Sequence, residues 1–357
     1  MQSKDLKKGR GAQKNPPNRF LENVYEVRDD FLEYCRQEGE SPENTKTQYI
    51  QVFPKTIVNR VDSPDVGMEY SMNPYQGCEH GCIYCYARNS HEFWGYSAGL
   101  DFERKILVKK NAPELLEKLL KKKTWQAATI VLSGNTDCYQ PAEQKFEITR
   151  KCLEIFLKYR HPVGIITKNA TILRDLDILQ ELQANNLVGV NVSVTSLSEK
   201  TRRILEPRTA SISKRLKTIE TLSKYDIPVN AMLAPMIPGI NSHELLNLAK
   251  ATSAHGAVSF GFTVVRLNGA IGQIFKDWIE KALPSKAEKV LHLIQQCHGG
   301  SINNSEFGVR NRGQGQVAQQ IHDMARLAKH KYYKGKQFPP LNKELHAIYK
   351  DGQTRLF

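Results

Sequence analysis

The sequence predicts an α/β fold, a partial parallel (β/α)6 barrel with N- and C-terminal extensions. Three observations point there. Short apolar runs alternate with amphipathic helical stretches about six times between residues 67 and 285, and such alternation builds a parallel sheet with right-handed crossovers. The number of units falls short of the eight that close a full β/α barrel. A hydrophobic content of 40% in 357 residues permits a real core.

Residues 1–66 read as a basic arm. Lys7-Lys8-Gly9-Arg10-Gly11-Ala12 and Asn15-Pro16-Pro17-Asn18-Arg19-Phe20 mix positive charge with turn residues. That composition does not pack by itself, so the arm is expected to wrap the core. A helix is expected near Arg28–Glu38.

The core domain is expected over residues 67–285. Met68–Asn73 is its first strand, and Ile106-Leu107-Val108 a short extended piece. Asn111-Ala112-Pro113-Glu114 opens a helix, with Asn as cap, Pro early and Glu against the helix dipole. Leu115, Leu116, Leu119 and Leu120 form its apolar face. Thr129–Leu132 is a strand of buried type, followed by one helix from Glu143 to Tyr159. The strands Val163–Thr167, Leu187–Val194, Pro228–Leu233 and Ala257–Val265 alternate with helices Leu173–Leu182, Ile212–Tyr225 and Ser242–Thr252. Residues 286–357 form a C-terminal extension. It holds a helix Lys286–Gln296, a glycine-rich stretch Gly308–Gly315, a helix Val317–His330 and a basic tail.

No apolar run approaches the roughly 18 residues of a membrane span. The charged start lacks a signal-peptide core, so a cytoplasmic protein without membrane contact is expected. The net charge of +14 favours a polyanionic partner, nucleic acid first. The seven cysteines are an odd count, and three of them stand in one metal-type motif, which fits a reducing compartment. Cys152 and Cys297 read as small buried hydrophobes.

That motif is Gly77-Cys78-Glu79-His80-Gly81-Cys82-Ile83-Tyr84-Cys85-Tyr86. Gly77 and Gly81 let the backbone turn tightly, so the three thiols can face one inorganic object. Three thiolates are one too few for a closed zinc site or a four-cysteine iron–sulfur cluster. A cluster held this way keeps one iron open for a substrate or cofactor. A zinc knuckle with His80 as fourth ligand is the other reading of the same residues.

The spacing C-x3-C-x-aromatic-C, with Asn73-Pro74-Tyr75-Gln76-Gly77 before it and Tyr86-Ala87-Arg88 after it, resembles the cluster loop of the radical S-adenosylmethionine (SAM) enzymes. It is most similar to the branch related to spore photoproduct lyase, the photolyase-like DNA repair proteins. The resemblance implies the same (β/α)6 shape. It implies that Cys78, Cys82 and Cys85 hold a 4Fe-4S cluster whose free iron chelates SAM, with Tyr84 near the adenine. It further implies reductive cleavage of SAM to a 5′-deoxyadenosyl radical that abstracts hydrogen.

Active groups of a parallel barrel lie at the C-terminal strand ends. Gly134 and Asn135 are therefore candidates to meet the methionine moiety of SAM, with Asp137 near its charge. Ser193 suits a ribose hydroxyl, and the guanidinium of Arg208 suits a carboxylate. Arg208 could instead form a surface ion pair with Glu206. Lys168 ends the third helix-flanked strand and is a candidate for the cofactor or substrate mouth. Pro235, Ile237, Pro238 and Gly239 resemble the fifth-strand motif that packs against adenine. Spore photoproduct lyases use a cysteine near the Asp137 turn to return hydrogen to product, which makes Cys138 a candidate donor. Arg266 suits an anionic substrate, and Arg310 with Arg312 suits phosphate.

The function expected is a radical SAM enzyme acting in DNA repair or modification. The alternatives are RNA or protein side-chain modification with the same cofactor, and a non-catalytic zinc-stabilised nucleic-acid-binding protein. A reductant such as flavodoxin or ferredoxin is implied. The C-terminal Gln353, Leu356 and Phe357 form a Q-x-x-L-F pattern similar to peptides that dock on the DNA sliding clamp.

Overall fold

The computed structural model of the protein describes residues 6–21 and 46–350. The helix expected near Arg28–Glu38 and the Gln353, Leu356, Phe357 pattern lie outside the described residues. Ten strands are described: β1 (Gln48–Val52), β2 (Val58–Arg60), β3 (Tyr70–Met72), β4 (Tyr75–Gln76), β5 (Lys105–Lys109), β6 (Ile130–Leu132), β7 (Val163–Thr167), β8 (Val188–Ser193), β9 (Val229–Met232) and β10 (Ser259–Gly261). Seven of them form one sheet in the order β10-β9-β8-β7-β6-β3-β2. From β3 through β10 every pairing in that sheet is parallel, and β2 joins β3 antiparallel. The six parallel strands are those of the expected β/α units. β1, β5 and β4 form a separate small sheet, to which the Ile106–Val108 piece belongs.

The central strands β7 and β8 are rich in Val and Ile and buried on both faces, as parallel strands between helices must be. The last strand is shorter than Ala257–Val265. Pro235 carries no N–H to donate, so the ladder with β9 stops and resumes only at an isolated bridge between Met236 and Val264.

The stretch Glu143–Tyr159 is two helices, Glu143–Phe146 and Ile148–Lys158, parted by Glu147 in the left-handed region at φ 53°. The buried Glu143 carboxylate explains the break. It accepts from Thr149 N at 2.9 Å and Arg150 N at 3.3 Å, satisfying the orphan donors of the second helix. Asn111 does not cap its helix; its amide donates to the Pro54 carbonyl at 3.0 Å. The segment before Leu176–Gln183 is a 3-10 turn, Ala170–Asp175, capped by Asn169. The helix Ala270–Ala282 was not expected. It buries Ile271, Ile274, Phe275, Trp278 and Ile279, a helical spacing masked by Gly269 and Gly272.

Two large apolar clusters are found among the described residues, besides a minor one of Cys78, Ala87 and Phe102. The larger lies between the sheet and its helices, with Leu132, Phe156, Val163, Val190 and Leu248 among its members. The smaller gathers Cys82, Tyr84, Ile237, Phe275 and Trp278. The C-terminal helix Gly315–Tyr332 lies beside Leu245–Ala254, where the Tyr333 and Thr252 hydroxyls are 2.8 Å apart.

Among the described residues β2 and β10 are the two ends of the sheet. The segment 304–314 bonds to the chain beyond each of them. Its Asn311 carbonyl accepts from Val264 N at 2.9 Å, just past β10. Asp65, in the turn after β2, accepts from Gly308 N at 2.7 Å and pairs with Arg310.

Candidate active site

The cysteine loop follows β3 and β4 and is held mainly through its backbone. Gly77 has φ +81°, and a Cβ there would stand 2.8 Å from the Lys105 carbonyl. Cys78 N donates to Phe102 O at 2.8 Å, and Ile83 N to Leu205 O at 3.0 Å. Gln140 clamps the loop from below: its amide donates to Gly77 O and its carbonyl accepts from Glu79 N, both at 3.0 Å. Arg88 is fully buried. Its Nε donates to Cys82 O at 3.0 Å, and its Nη2 pairs with the buried Glu103 at 2.6 Å.

Glu103 also fixes the basic arm. Its carboxylate accepts from Gly11 N at 3.2 Å and Ala12 N at 2.8 Å. Gly81, at φ +68°, approaches Gly11 so closely that a Cβ on Gly11 would lie 1.8 Å from Gly81 O. Gly11 and Ala12 are thereby seated against Glu103 and Gly81.

Cys78, Cys82 and Cys85 are free thiols, the first two buried. Burial raises all three thiol pKa values, so binding an iron centre there displaces protons. Among the described residues no three His, Cys, Asp or Glu are grouped to hold one metal ion. His80 Nδ1 instead lies 3.3 Å from Asp137 Oδ2, and its Nε2 lies 3.4 Å from Asn169 Nδ2. The His80 ring is thus turned to Asp137 and Asn169, which leaves the three thiols of the loop as its sulfur donors.

Tyr84 points from the loop into the smaller apolar cluster, beside Ile237. Its hydroxyl donates to Glu206, a residue the sequence reading considered only as a partner of Arg208. Glu206 is fully buried and also accepts from Thr195 Oγ1 at 2.9 Å and from Arg215; Lys168 Nζ lies 3.6 Å away. Burial alone would raise this carboxyl, but Arg215 and Lys168 outweigh it and hold the pKa at about 2. Arg215 was legible as a charge on an apolar helix face, between Ile212 and Ile219. Lys168 lies 5.9 Å above the Tyr84 ring, so Lys168 and Tyr84 share one wall.

Arg208 does not pair with Glu206. Its partner is Glu79 of the cysteine loop, at 4.0 Å, and its N–H donates to His80 O. The Glu206 carboxylate turns inward because Arg215 waits there on the neighbouring helix. Arg208 is thereby left partly exposed beside the loop.

After β6, Gly134 fits where a Cβ would stand 2.6 Å from the Ser71 Cβ, and its carbonyl accepts from the Tyr86 hydroxyl. Asn135 N donates to Asn73 Oδ1 at 2.8 Å, and its amide reaches Ser90 Oγ at 2.8 Å. Asp137 accepts from Thr167 Oγ1 and Lys168 N, tying β6 to β7. Burial raises its carboxyl, and His80 with the backbone donors Lys168 and Tyr139 brings it below the ordinary value. Ser193 is buried at the end of β8, where its carbonyl accepts from Arg215 at 3.1 Å. Ile237 is buried, its N–H donating to Asn241 Oδ1 at 2.6 Å.

Cys138 is placed differently from the expectation. It is fully buried in the larger cluster, its carbonyl accepting from Thr149 Oγ1, and burial keeps its thiol protonated. A thiol enclosed there packs the core. Arg310 is likewise occupied, by Asp65 and Ser63.

The model of the radical SAM superfamily matches residues 72–252, just over half of the chain. A protein of Mycobacterium tuberculosis carried as uncharacterised is 28% identical over 262 residues, spanning 72% of this chain and 76% of that one. The radical SAM Nα-GlyT isomerase of Pseudomonas phage M6 is 26% identical over 173 residues, 48% of this chain and 34% of its own. Among solved structures, spore photoproduct lyase complexed with dinucleoside spore photoproduct superposes with a TM-score of 0.62 at 15% identity, covering 86% of this chain and 92% of that one. Its fold is the fold described above. Six parallel strands, a three-cysteine loop after the first and the family match across them together place this chain among the enzymes of the radical SAM superfamily.

Proposed function

We propose that the protein is a radical SAM enzyme of the photolyase-like branch that acts on DNA. Cys78, Cys82 and Cys85 hold a 4Fe-4S cluster, and SAM binds beside it within the core of residues 67–285. The chemistry the cluster supplies, once reduced by a flavodoxin or ferredoxin, is one-electron cleavage of SAM to the hydrogen-abstracting 5′-deoxyadenosyl radical.

The chain's own residues bind and orient. Tyr84 and Ile237 offer an apolar wall for the adenine, the Gly134–Asn135 backbone faces the amino acid part, and Ser193 and Arg208 present a hydroxyl and a guanidinium. Lys168 and Asp137 set the charge of the pocket. Glu206, anionic and buried, fixes Tyr84 and Lys168 in place.

The observation that carries this reading is the cysteine loop itself. Its backbone groups are paired by Phe102, Gln140, Arg88 and Leu205, which hold the three cysteines in one turn. DNA is favoured as substrate by the net charge of +14 and by the dinucleoside lesion in the lyase structure of like fold.

The test is anaerobic turnover. The reduced protein with SAM is expected to form 5′-deoxyadenosine, faster with ultraviolet-irradiated DNA than without. Deuterium from the substrate should appear in the product. Cys82→Ala should contain little iron and form none. Deoxyadenosine formation by Cys82→Ala, or indifference to every DNA offered, would refute the reading.

A further inference from the structure

A cavity of ≈570 Å³ lies between the segment 304–314 and the helix Gly315–Tyr332, beside Phe262 just past β10. Its lining carries Arg312, His322, Arg326 and Lys329 and no acidic residue. The last three stand at i, i+4 and i+7, so they share one face of that helix, next to the Ala318, Ile321, Ala325 and Ala328 face that packs into the core. Arg326 is paired with Asp323, one turn back. Among the described residues, Arg312 and Lys329 have no acidic partner. Two cations therefore line the cavity with no acidic partner, Lys329 lying 5.7 Å over the Phe260 ring, a setting that suits anionic oxygens.

Phe307 stands one residue before Gly308 of the cavity wall. It is 57% exposed, a position that costs free energy in water unless something covers it. It is also held still. The Arg310 guanidinium stacks on its ring at 4.3 Å, and Arg310 is anchored in turn by Asp65. A fixed, exposed aromatic face beside a cationic cavity is the pairing by which proteins hold single-stranded nucleic acid: bases stack on the ring while phosphates meet the cations. The segment that carries Phe307 and Arg312 bonds to Val264 just past β10 and to Asp65 in the turn after β2.

We infer that this cavity and Phe307 grip the strand of DNA that flanks the reacting nucleotide, a phosphate on Arg312 and Lys329 and a base on Phe307. The inference rests on the reading of DNA as substrate and adds the surface that holds it. Arg310, expected to grip phosphate, serves as the prop of Phe307 instead.

The experiment is fluorescence anisotropy of the full-length, iron-loaded protein with a short labelled single-stranded oligodeoxynucleotide, over a range of salt. Arg312→Ala with Lys329→Ala is expected to weaken binding about tenfold and to lower the salt slope by about 0.7 per lost phosphate contact. Lys122→Ala with Lys123→Ala removes the same charge from another surface and should change affinity by less than about twofold. Phe307→Ala should weaken binding at least about fivefold, with little change in slope. Inorganic phosphate at fixed ionic strength should compete only at high concentration, since it lacks the base. Melting temperature and iron content show that each variant is folded.

Equal loss in the two double variants would overturn the inference, and so would an unchanged Phe307→Ala affinity. In either case tight wild-type binding would leave the DNA reading standing. A wild-type protein that binds no oligonucleotide would overturn both.

Discussion

Single residues show where charge and burial were decided. Glu206 could not be ranked from sequence, because Glu206-Pro207-Arg208 offers an acid and a base side by side. Only the fold reveals that Arg215 takes the acid and Glu79 the base. The three cysteines and their glycines were legible because spacing and backbone freedom are local properties. The burial of Cys138 was not legible for the opposite reason: adjacency in sequence to Asp137 says nothing about which way the chain turns. His161 is a residue whose partners come from far along the chain. It is buried, its Nε2 accepting from the Trp125 indole at 3.1 Å, with the His346 ring centred 4.8 Å away. Burial first, then His346, lower its pKa from 6.5 to about 3. The unfolded chain therefore takes up the proton before the folded one. The stability this neutral ring contributes is whole above pH 6.5 and is lost as pH falls toward 3. Urea midpoints should reveal a loss of about 2 kcal/mol between pH 7 and 5 from this group, and His161→Gln should lose correspondingly less. Identical acid losses in both proteins would refute the assignment.

At the scale of elements, runs of Val and Ile between turn residues gave β6 through β9 within two residues of their observed ends. Failures came where a side chain intervenes in the backbone. Glu143 reaches forward and splits a helix that periodicity reads as continuous. Pro235 interrupts the ladder that would have lengthened β10. The arm at Arg10–Gln13 is an element without regular structure, fixed by Glu103 and by its close approach to Gly81. Gly11→Ala places a methyl group where Gly81 O already stands, so the arm must lift. Trypsin cleavage at Lys14 should then quicken, and the iron content of the purified protein should fall, while far-ultraviolet circular dichroism stays unchanged. Cleavage at the wild-type rate would show that the arm is not seated as described.

For the molecule as a whole, six β/α units announced the architecture, but the sequence could not say what lies beyond the two ends of the sheet. No helix of the described residues is long and apolar enough to cross a membrane. The segment 304–314 owes its place to contacts made across the chain: Asp65 and Arg310 stand 245 residues apart. Contacts that distant cannot be read from periodicity, and they form late, because loop closure costs entropy before it brings any reward.

That separation has a consequence for biosynthesis. A nascent chain folds from its N-terminus, so residues 67–285 emerge and pair their strands before the segment exists that bonds beyond both ends of the sheet. During that interval β2 and β10 present unpaired backbone groups, which recruit strands from other chains. Phe260, Leu248 and Ala249 meanwhile lack the Gly315–Tyr332 helix that shields them. A protein ended after residue 285 should therefore carry every cofactor residue and still pellet on centrifugation, whereas the full-length chain stays in solution. A soluble, monomeric product of that length would show instead that the last fifth is dispensable to folding. If it pellets, the cell must keep an enzyme of this kind from its neighbours until nearly all of it has been made.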